Sequence, residues 1–254
     1  MPLKLSAVII TFNEEAHLEK CLTSLENLAD EILVVDSHST DGTKLICQRF
    51  NVRFLEQKFL GYREQKNFAL EKAKYDYILS LDGDEALSET LKNSILEVKK
   101  NWIKDGYYCS RMNNYCGQWI KNSDWYPDRK LRLFKKDSGQ WGGLNPHDRF
   151  ELYDGKTSGQ LKGDLLHWIY NSYKEHNQKI ERFSSIAADA YYKAGIKSSI
   201  VKILWRPSWA FFKAYFLRLG FLDGFNGWVI CVQTYNLTFL KYIKLRALWK
   251  QNRS

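Results

Sequence analysis

The first 85 residues alternate between short apolar segments rich in β-branched side chains and segments with helical spacing of apolar residues. The spacing predicts strands over 4–11, 31–36, 52–55 and 75–81, and helices over 15–28, 41–50 and 63–74. Strands that alternate with single helices form βαβ units, which pair as a parallel sheet through right-handed crossovers. We therefore expect an α/β fold whose ligand binds beyond the carboxyl ends of the strands.

Polar, mostly acidic side chains follow three of these strands at the point where each strand ends. Thr11-Phe12-Asn13-Glu14 follows the first, Asp36-Ser37 the second, and Asp82-Gly83-Asp84-Glu85 the last. Like charges this close raise one another's pKa, so a compensating positive group is expected, and a hard divalent cation fits. We expect Gly83 to let the backbone turn tightly so that the two aspartates converge. The other interpretation is a solvated turn with surplus acids, but three such strand ends favour a site.

Composition and short motifs exclude several kinds of site. Five cysteines, an odd number with no CxxC pair, predict reduced thiols rather than a disulfide framework or a zinc site. No run approaches the about 20 apolar residues of a membrane span, and no cleavable signal peptide precedes the first strand. Neither GxGxxG nor GxxxxGK[ST] occurs, so phosphates are expected to be held through a metal.

The net charge of +9 lies entirely in the last third of the chain. Residues 1–159 hold 23 Lys and Arg against 24 Asp and Glu, whereas residues 160–254 hold 15 against 5. An apolar face follows Pro207, and residues 239–249 interleave aromatic with basic side chains. This pattern favours an anionic membrane surface as partner, although a solvated basic face would look similar. No nucleic-acid-binding motif is present, so we expect no nucleic-acid partner.

Three motifs, in this order and spacing, resemble family 2 glycosyltransferases of the GT-A fold. They are residues 7–15 (AVIITFNEE), 31–43 (EILVVDSHSTDGT) and 78–85 (ILSLDGDE). Further segments are similar to bacterial lipopolysaccharide core heptose β-1,4-glucosyltransferases: 125–134 (WYPDRKLRLF), 145–148 (NPHD) and 220–224 (GFLDG). The resemblance implies a Rossmann-like, mostly parallel sheet flanked by helices in a catalytic domain over 1–165. Residues 166–254 would form a helical, basic, aromatic-rich region on the membrane and acceptor side.

The resemblance also implies roles for individual residues in binding a UDP-sugar donor. The loop that holds the base and ribose is matched by Thr11, Phe12, Asn13 and Glu14, and Asp36 matches the acid that contacts the uracil or its ribose. Lys66 matches a basic position near the nucleotide. Mg²⁺ or Mn²⁺ held by Asp84, with Asp82 close by across Gly83, would bridge the donor phosphates, and His167 would complete the metal shell.

Catalysis then requires a base for the acceptor hydroxyl. Asp148 is the first choice, at a position where relatives often carry Glu after His, and it is shorter by one methylene. Glu85 is the second choice, and His147 could be the base or a metal ligand. Arg129 and Arg132 suit a phosphate, or are surface charges on a strand. Trp125, Tyr126 and Trp141 could stack on sugars or pack in a core.

These features together predict a metal-dependent, inverting glycosyltransferase, peripheral on the cytoplasmic face of the bacterial inner membrane. It would transfer a hexose, with glucose from UDP-glucose expected, to an inner-core sugar of lipopolysaccharide. Other interpretations are a different sugar donor, a lipid-carrier or protein acceptor, or a non-catalytic sugar-nucleotide-binding or membrane scaffold protein. A nucleotidyltransferase is less favoured because it usually has a Gly- and Arg-rich first loop, which is absent.

Overall fold

The computed structural model describes residues 3–143 and 148–251. The chain forms two compact units, here called the first unit (Met1–Met112 with Asp128–Trp168) and the second unit (Asn113–Pro127 with Ile169–Ser254). The functional boundary predicted at residue 165 falls inside a strand, Ser158–Tyr170, and stays a prediction.

Strands and helices alternate through the first 85 residues, as the spacing predicts, and the order becomes less regular afterwards. The strands are β1 (Leu5–Thr11), β2 (Glu31–Asp36), β3 (Arg53–Glu56), β4 (Tyr77–Asp82), β5 (Glu85–Leu87), β6 (Gly106–Tyr115), β7 (Gln118–Trp119), β8 (Asp128–Lys135), β9 (Gly139–Gly142), β10 (Arg149–Leu152) and β11 (Ser158–Tyr170). The helices are α1 (Leu18–Ser24), α2 (Thr43–Arg49), α3 (Tyr62–Lys72), α4 (Glu89–Lys100), α5 (Tyr173–Lys193), α6 (Ile200–Phe212) and α7 (Gly224–Gln251).

The main sheet is mixed, with the order β3-β2-β1-β4-β8-β6-β11-β5. The four strands of the predicted βαβ units are parallel to one another. Antiparallel pairing begins beyond β4, where β8 pairs with β4 and β6 pairs with β8, and β5 pairs antiparallel with β11. Strands β9 and β10 form a separate antiparallel pair. The chain therefore has the predicted α/β architecture with a curled, partly antiparallel extension.

Both faces of the parallel strands are covered, which explains why β1 is buried along its whole length. Successive residues of a strand point to opposite faces. Accordingly, Ala7 and Ile9 pack in one apolar cluster with residues of α1, α2 and α4. Val8 and Ile10 pack in another with Ala69 of α3. This two-sided burial fixes the register of β1 and so the position of the residues at its end.

The second unit contains the three longest helices. The sequence also predicts a helix over about 171–194, and α5 confirms it. Pro207, which was expected to open an apolar segment, lies inside α6 instead. Ala188, Tyr242 and Leu245 form a buried cluster between α5 and α7. Among residues 3–143 and 148–251, no helix combines the length and apolar character that crossing a bilayer requires.

Candidate active site

The three strand ends singled out in the sequence lie side by side at one edge of the sheet. Thr11 is paired with Asp36 across β1 and β2, and Ile10 is paired with Asp82 across β1 and β4. The buried thiol of Cys21 lies behind this edge. Burial raises the pKa of Cys21 well above its usual range, and the negative charges of Glu85, Asp84 and Asp82 raise it further. The predicted convergence of acids is therefore present.

The loops after β1 and β2 are joined by hydrogen bonds into one wall. Thr11 Oγ1 donates to Asp36 Oδ1 over 2.8 Å, and Asp36 also accepts from the backbone and the hydroxyl of Ser39. Asn13 has a φ of 55°, a left-handed conformation that asparagine tolerates. Its Oδ1 accepts from the Thr40 backbone over 2.8 Å. The ring of Phe12 in this wall is exposed, whereas Asp36 is buried.

Gly83 is required for a different reason from the one the sequence suggested. Its φ is not positive, so the tight turn does not depend on glycine conformational freedom. A Cβ at this position would instead lie 2.8 Å from Thr11 Cγ2 and 3.0 Å from Glu14 Cγ. The absence of a side chain lets the acidic turn approach the loop after β1, and the Gly83 backbone donates to Ile10 O.

Asp82 is held between two buried cations. Arg132 Nη2 donates to Asp82 Oδ2 over 2.9 Å, and Lys66 Nζ lies 3.0 Å from Asp82 Oδ1. Oδ1 is buried and accepts no hydrogen bond with acceptable geometry, even from that ammonium group. Burial raises the pKa of Asp82, but the charges of Lys66 and Arg132 outweigh it and hold the pKa well below its usual range. Asp82 is therefore ionised, and each of its carboxylate oxygens lies within ion-pair distance of a buried cation.

Glu85, the second choice for a catalytic base, is fully buried. Its Oε1 accepts from Arg132 Nη2 over 2.7 Å and from Arg111 Nη1 over 3.3 Å. Its Oε2 accepts from the backbone of Asp82 over 3.0 Å. Both oxygens are thus engaged in orienting Arg132 and the acidic turn, so the geometry favours a structural role for Glu85.

Asp84 and His167 form a separate pair. His167 Nε2 lies 3.3 Å from Asp84 Oδ2, and the backbone of Trp168 donates to Asp84 O. Burial raises the pKa of Asp84, but the charge and hydrogen bond of His167 outweigh it and lower the pKa. The strand pairing of β11 with β5 places His167 opposite Glu85, which is how two distant segments reach the acidic turn.

A cavity of about 430 Å³ opens beside Asp82 in the first unit. Asp148 lies in its wall, and Asp148 Oδ2 accepts from Lys66 Nζ over 2.8 Å. Lys66 therefore links the acidic turn to the first-choice base. Basic side chains outnumber acidic ones around the cavity; the charged lining residues are Lys66, Arg111, Arg129, Lys130, Arg132, Arg149, Asp82 and Asp148. Such a site favours an anionic ligand.

Comparison with models of protein families identifies the family of this chain. The family model described as "Glycosyl transferase family 2" matches residues 6–153, more than half of the chain. The chain belongs to glycosyl transferase family 2. It is a glycosyltransferase, as the resemblance of its three motifs predicted.

Two relatives extend the similarity of this glycosyltransferase over nearly the whole chain. An uncharacterized glycosyltransferase of Rickettsia bellii (strain RML369-C) is 31% identical over 258 residues, which cover 96% of this chain and 87% of the relative. The lipopolysaccharide core biosynthesis glycosyltransferase LpsC of Rhizobium meliloti (strain 1021) is 32% identical over 228 residues, covering 87% and 82%.

A solved structure supports the fold. The mannosyltransferase PcManGT from Pyrobaculum calidifontis, solved in complex with GDP-Man and Mn²⁺, superposes with a TM-score of 0.55 at 16% identity. The match covers 99% of this chain and 88% of that one. At this identity the likeness concerns the fold alone, and the glycosyltransferase has the GT-A fold that the sequence predicted.

The arginine and tryptophan residues of the predicted site lie in different environments. Arg129 is exposed and lines the cavity, whereas Arg132 is buried within the acidic turn's ion pairs. Trp141 is only 4% exposed, with Lys66 Nζ 4.6 Å from its ring centroid, so it supports the cation more than it presents a sugar-stacking face. Trp125 packs in an apolar cluster of the second unit. His147 lies outside the described residues, and its predicted role stays a prediction.

Sequence reasoning missed Arg111 of the glycosyltransferase. Arg111 donates two hydrogen bonds to Asp128 Oδ2, of 3.0 and 2.7 Å, and one to Glu85. Burial lowers the pKa of Arg111, but Glu85 and Asp128 outweigh it and raise the pKa. The available signal was Arg111 as the one charged residue of strand β6, but the sequence alone does not show that this strand lies near the acidic turn.

Proposed function

We propose that this chain is an inverting, metal-dependent transferase that moves a hexose from a UDP-sugar donor to an inner-core sugar of lipopolysaccharide. The observation that carries the proposal is the linkage of Asp82, Lys66 and Asp148 beside the cavity. This arrangement brings a donor-binding turn and a candidate base to one basic cleft. A UDP-glucose donor is the specific expectation.

The nucleoside end of the donor would lie against the loops after β1 and β2. Asp36 would accept a hydrogen bond from the uracil or the ribose, while Thr11 and Ser39 keep its carboxylate oriented. The exposed ring of Phe12 would provide an apolar surface for the base, with Asn13 and Glu14 completing the loop. A pre-formed wall of this kind lowers the entropy cost of orienting the donor.

The residues of the acidic turn fit a divalent cation bound together with donor phosphates. Asp84 would be the principal ligand, with Asp82 and the imidazole of His167 close by, an oxygen and nitrogen set that suits Mg²⁺ or Mn²⁺. Within residues 3–143 and 148–251, no three His, Cys, Asp or Glu side chains are grouped to hold a metal alone. This agrees with a cation that takes its other ligands from the phosphates. When bound, the cation supplies charge neutralisation to the leaving diphosphate.

The chain's own residues perform the remaining steps. Lys66 and Arg132 can donate charge-assisted hydrogen bonds to phosphate oxygens in the cavity, and Arg129 can do so from its rim. Asp148 would accept the proton of the acceptor hydroxyl as that oxygen attacks the anomeric carbon from the face opposite the leaving group. The carbon–oxygen bond to the donor phosphate then breaks, and the configuration inverts. A positioned base of this kind typically contributes about 10²–10⁴-fold to the rate.

The proposed acceptor and location follow from a relative and from the C-terminal region. The similarity to LpsC, whose name assigns it to lipopolysaccharide core biosynthesis, supports a related acceptor. A lipid-linked acceptor would agree with a peripheral position on the inner face of the inner membrane, with residues 166–254 on the membrane side. The absence of a membrane-crossing helix among the described residues is compatible with that position.

Donor hydrolysis by the purified protein tests the proposal. With Mn²⁺ present, we expect slow hydrolysis of a UDP-sugar in the wild type and none in Asp84→Ala. The matched control is Asp154→Ala, an exposed acid in a surface turn of the same unit. Calorimetric titration with UDP-, GDP- and ADP-sugars then identifies the donor. Donor binding without hydrolysis or transfer to any core acceptor would instead indicate a scaffold protein, and no binding of any donor would refute the assignment.

Asp148→Asn tests the base separately. We expect kcat to fall by about 10²–10⁴-fold while the KM for the donor stays close to the wild-type value. If Glu85 were the base, Asp148→Asn would retain most of its kcat.

A further inference from the structure

Residues 200–228 of the second unit, here called the apolar surface, expose many large hydrophobic side chains. Of the 24 large hydrophobic residues exposed within the described part of the chain, 13 lie in this segment. Val201, Phe225, Trp205 and Ile200 are the most exposed, at 72%, 68%, 64% and 62%. Scattered exposed hydrophobic residues are ordinary on protein surfaces, but this concentration in one segment requires an explanation.

The aromatic side chains of α6 and the turn that follows form a continuous row. The ring centroids of Trp205 and Trp209 lie 6.4 Å apart, those of Trp209 and Phe212 5.8 Å, and those of Phe212 and Phe216 5.1 Å. Their spacing of three or four residues places them on one side of the helix. The four rings of this row are exposed by roughly half, and an aromatic side chain has about 200 Å² of surface, so the row alone presents on the order of 400 Å². A patch of this size is comparable with the largest apolar patch of a typical monomer, about 300–600 Å², which often has a function.

The charges within the apolar surface are positive. Lys202, Arg206, Lys213 and Arg218 interrupt the apolar residues, and the segment has a single acid, Asp223. Asp223 is buried, and its carboxylate accepts from the backbones of Lys121 and Asn122. Asp124 pairs with both Lys213 and Arg218, which leaves a net positive surface. Two copies of such a surface would repel each other, whereas an anionic partner would be attracted.

The aromatic and basic residues of 239–249, which prompted the membrane expectation, are placed differently. Tyr242 and Leu245 are buried, and Lys244 Nζ donates to Glu181 and to the hydroxyls of Ser184 and Ser185. Lys241 lies 4.6 Å from the ring centroid of Tyr191. This segment therefore packs within the second unit, and the exposed combination of aromatic and basic residues is the apolar surface.

We propose that the apolar surface docks on a lipid bilayer that contains anionic phospholipids. The aromatic rings would enter the boundary between headgroups and acyl chains, at a depth of about 5–10 Å, and the cations would contact lipid phosphates. Helix α6 has 13 residues, about 20 Å, and would lie in the plane of the bilayer because no described helix can cross it. This assigns residues to the membrane side proposed for the enzyme, and it stands whether or not the proposed sugar transfer is correct.

Vesicle co-sedimentation tests the assignment, with phosphatidylcholine vesicles with and without phosphatidylglycerol as the probe. We expect the wild type to bind the anionic vesicles, and Trp205→Ser with Trp209→Ser to lower the partition coefficient at least about tenfold. The control is Leu60→Ser with Ile103→Ser, two residues of the first unit that are 66% and 70% exposed, which should bind as the wild type does. Arg206→Gln should weaken binding only to the anionic vesicles.

Separate readouts keep this test distinct from that of the enzymatic reaction. Circular dichroism and donor hydrolysis should be the same in the tryptophan variant and the wild type. Failure of the wild type to bind anionic vesicles, or equal binding by the tryptophan variant, would overturn the proposal. A wild-type dimer in analytical ultracentrifugation that the tryptophan variant dissociates would overturn it too, because the surface would then cover a second copy.

Discussion

Removing the charge of Lys66 without removing its bulk should destabilise the first unit strongly. Lys66 is 4% exposed, and its Nζ lies 3.0 Å from Asp82 Oδ1 and 2.8 Å from Asp148 Oδ2. In Lys66→Met, Arg132 still pairs with Asp82 at 2.9 Å. Asp148, whose side chain is 7% exposed, loses the one basic group that is close to it among the described residues. An uncompensated buried carboxylate of this kind costs about 3–5 kcal/mol, the expected loss in the free energy of unfolding.

A double-mutant cycle separates the ion pair from general damage. Removing both charges in Lys66→Met/Asp148→Asn leaves no uncompensated charge, so we expect the double variant to be more stable than Lys66→Met alone. The coupling free energy should be about 2–3 kcal/mol, measured by urea denaturation followed by tryptophan fluorescence. The matched control is Lys72→Met on the same helix, whose side chain is 39% exposed and pairs with the exposed Glu71. That variant should change the free energy of unfolding by less than about 0.5 kcal/mol.

The predicted ion pair is refuted if the effects of Lys66→Met and Asp148→Asn on the free energy of unfolding are additive within about 0.5 kcal/mol. It is also refuted if Lys66→Met is no less stable than Lys72→Met. Either result would mean that the ammonium group does not bridge the two carboxylates in solution.

Three further variants test other parts of the structure. Glu85→Gln should lower the free energy of unfolding by about 2–4 kcal/mol because two guanidinium groups lose their shared charge, measured by urea denaturation. Gly227→Ala should lower the melting temperature of the second unit, since its Cβ would lie 2.0 Å from Gly220 O; a wild-type melting curve would contradict this. Burial raises the pKa of Glu31, but bonds from Ser6, the Lys74 backbone and Arg53 outweigh it. Its lowered pKa stabilises the fold above the ordinary glutamate pKa of about 4.3, and this contribution is lost as pH falls through the lowered pKa, so Glu31→Gln should flatten the decline in stability below about pH 4.3.

The first 85 residues could be predicted well because their signals are local. Strand β1 has seven consecutive buried residues, and α1 places Leu18, Cys21 and Leu22 on its buried side. Both patterns extend over fewer than ten residues and depend only on the period of the element. The parallel pairing then follows from the alternation of strands with helices, so the edge where Thr11, Asp36 and Asp82 meet was predictable too.

The sequence also predicts strands over 106–112 and 130–135, which β6 and β8 confirm. Other later elements, such as α4 and β11, were missed because their sequence patterns compete with other signals. Helix α4 follows the N-cap residue Ser88, whose hydroxyl accepts from the Leu91 backbone, and it buries only Leu91 and Ile95. These helix signals lie directly after the acidic turn, whose carboxylates are the stronger signal in this part of the sequence. Strand β11 is interrupted by Gly163, whose φ of 87° breaks the alternation that would have revealed a strand of 13 residues. Its pairing with β5 joins residues about 80 positions apart, which no local period encodes.

The charge balance of the site also corrects the inference, made from the sequence, that the clustered acids need a divalent cation as their positive partner. Clustered carboxylates do require positive partners, but the chain supplies several of them: Lys66 and Arg132 for Asp82, and Arg111 with Arg132 for Glu85. Asp84 differs, because His167 is the one basic side chain that forms an ion pair with it among the described residues. The chain's own cations therefore compensate Asp82 and Glu85, and Asp84 is the acid of the turn with the fewest ion-pair partners. A metal that enters with the donor phosphates is consistent with this balance, whereas a resident ion held by Asp82 would have to displace two buried ion pairs.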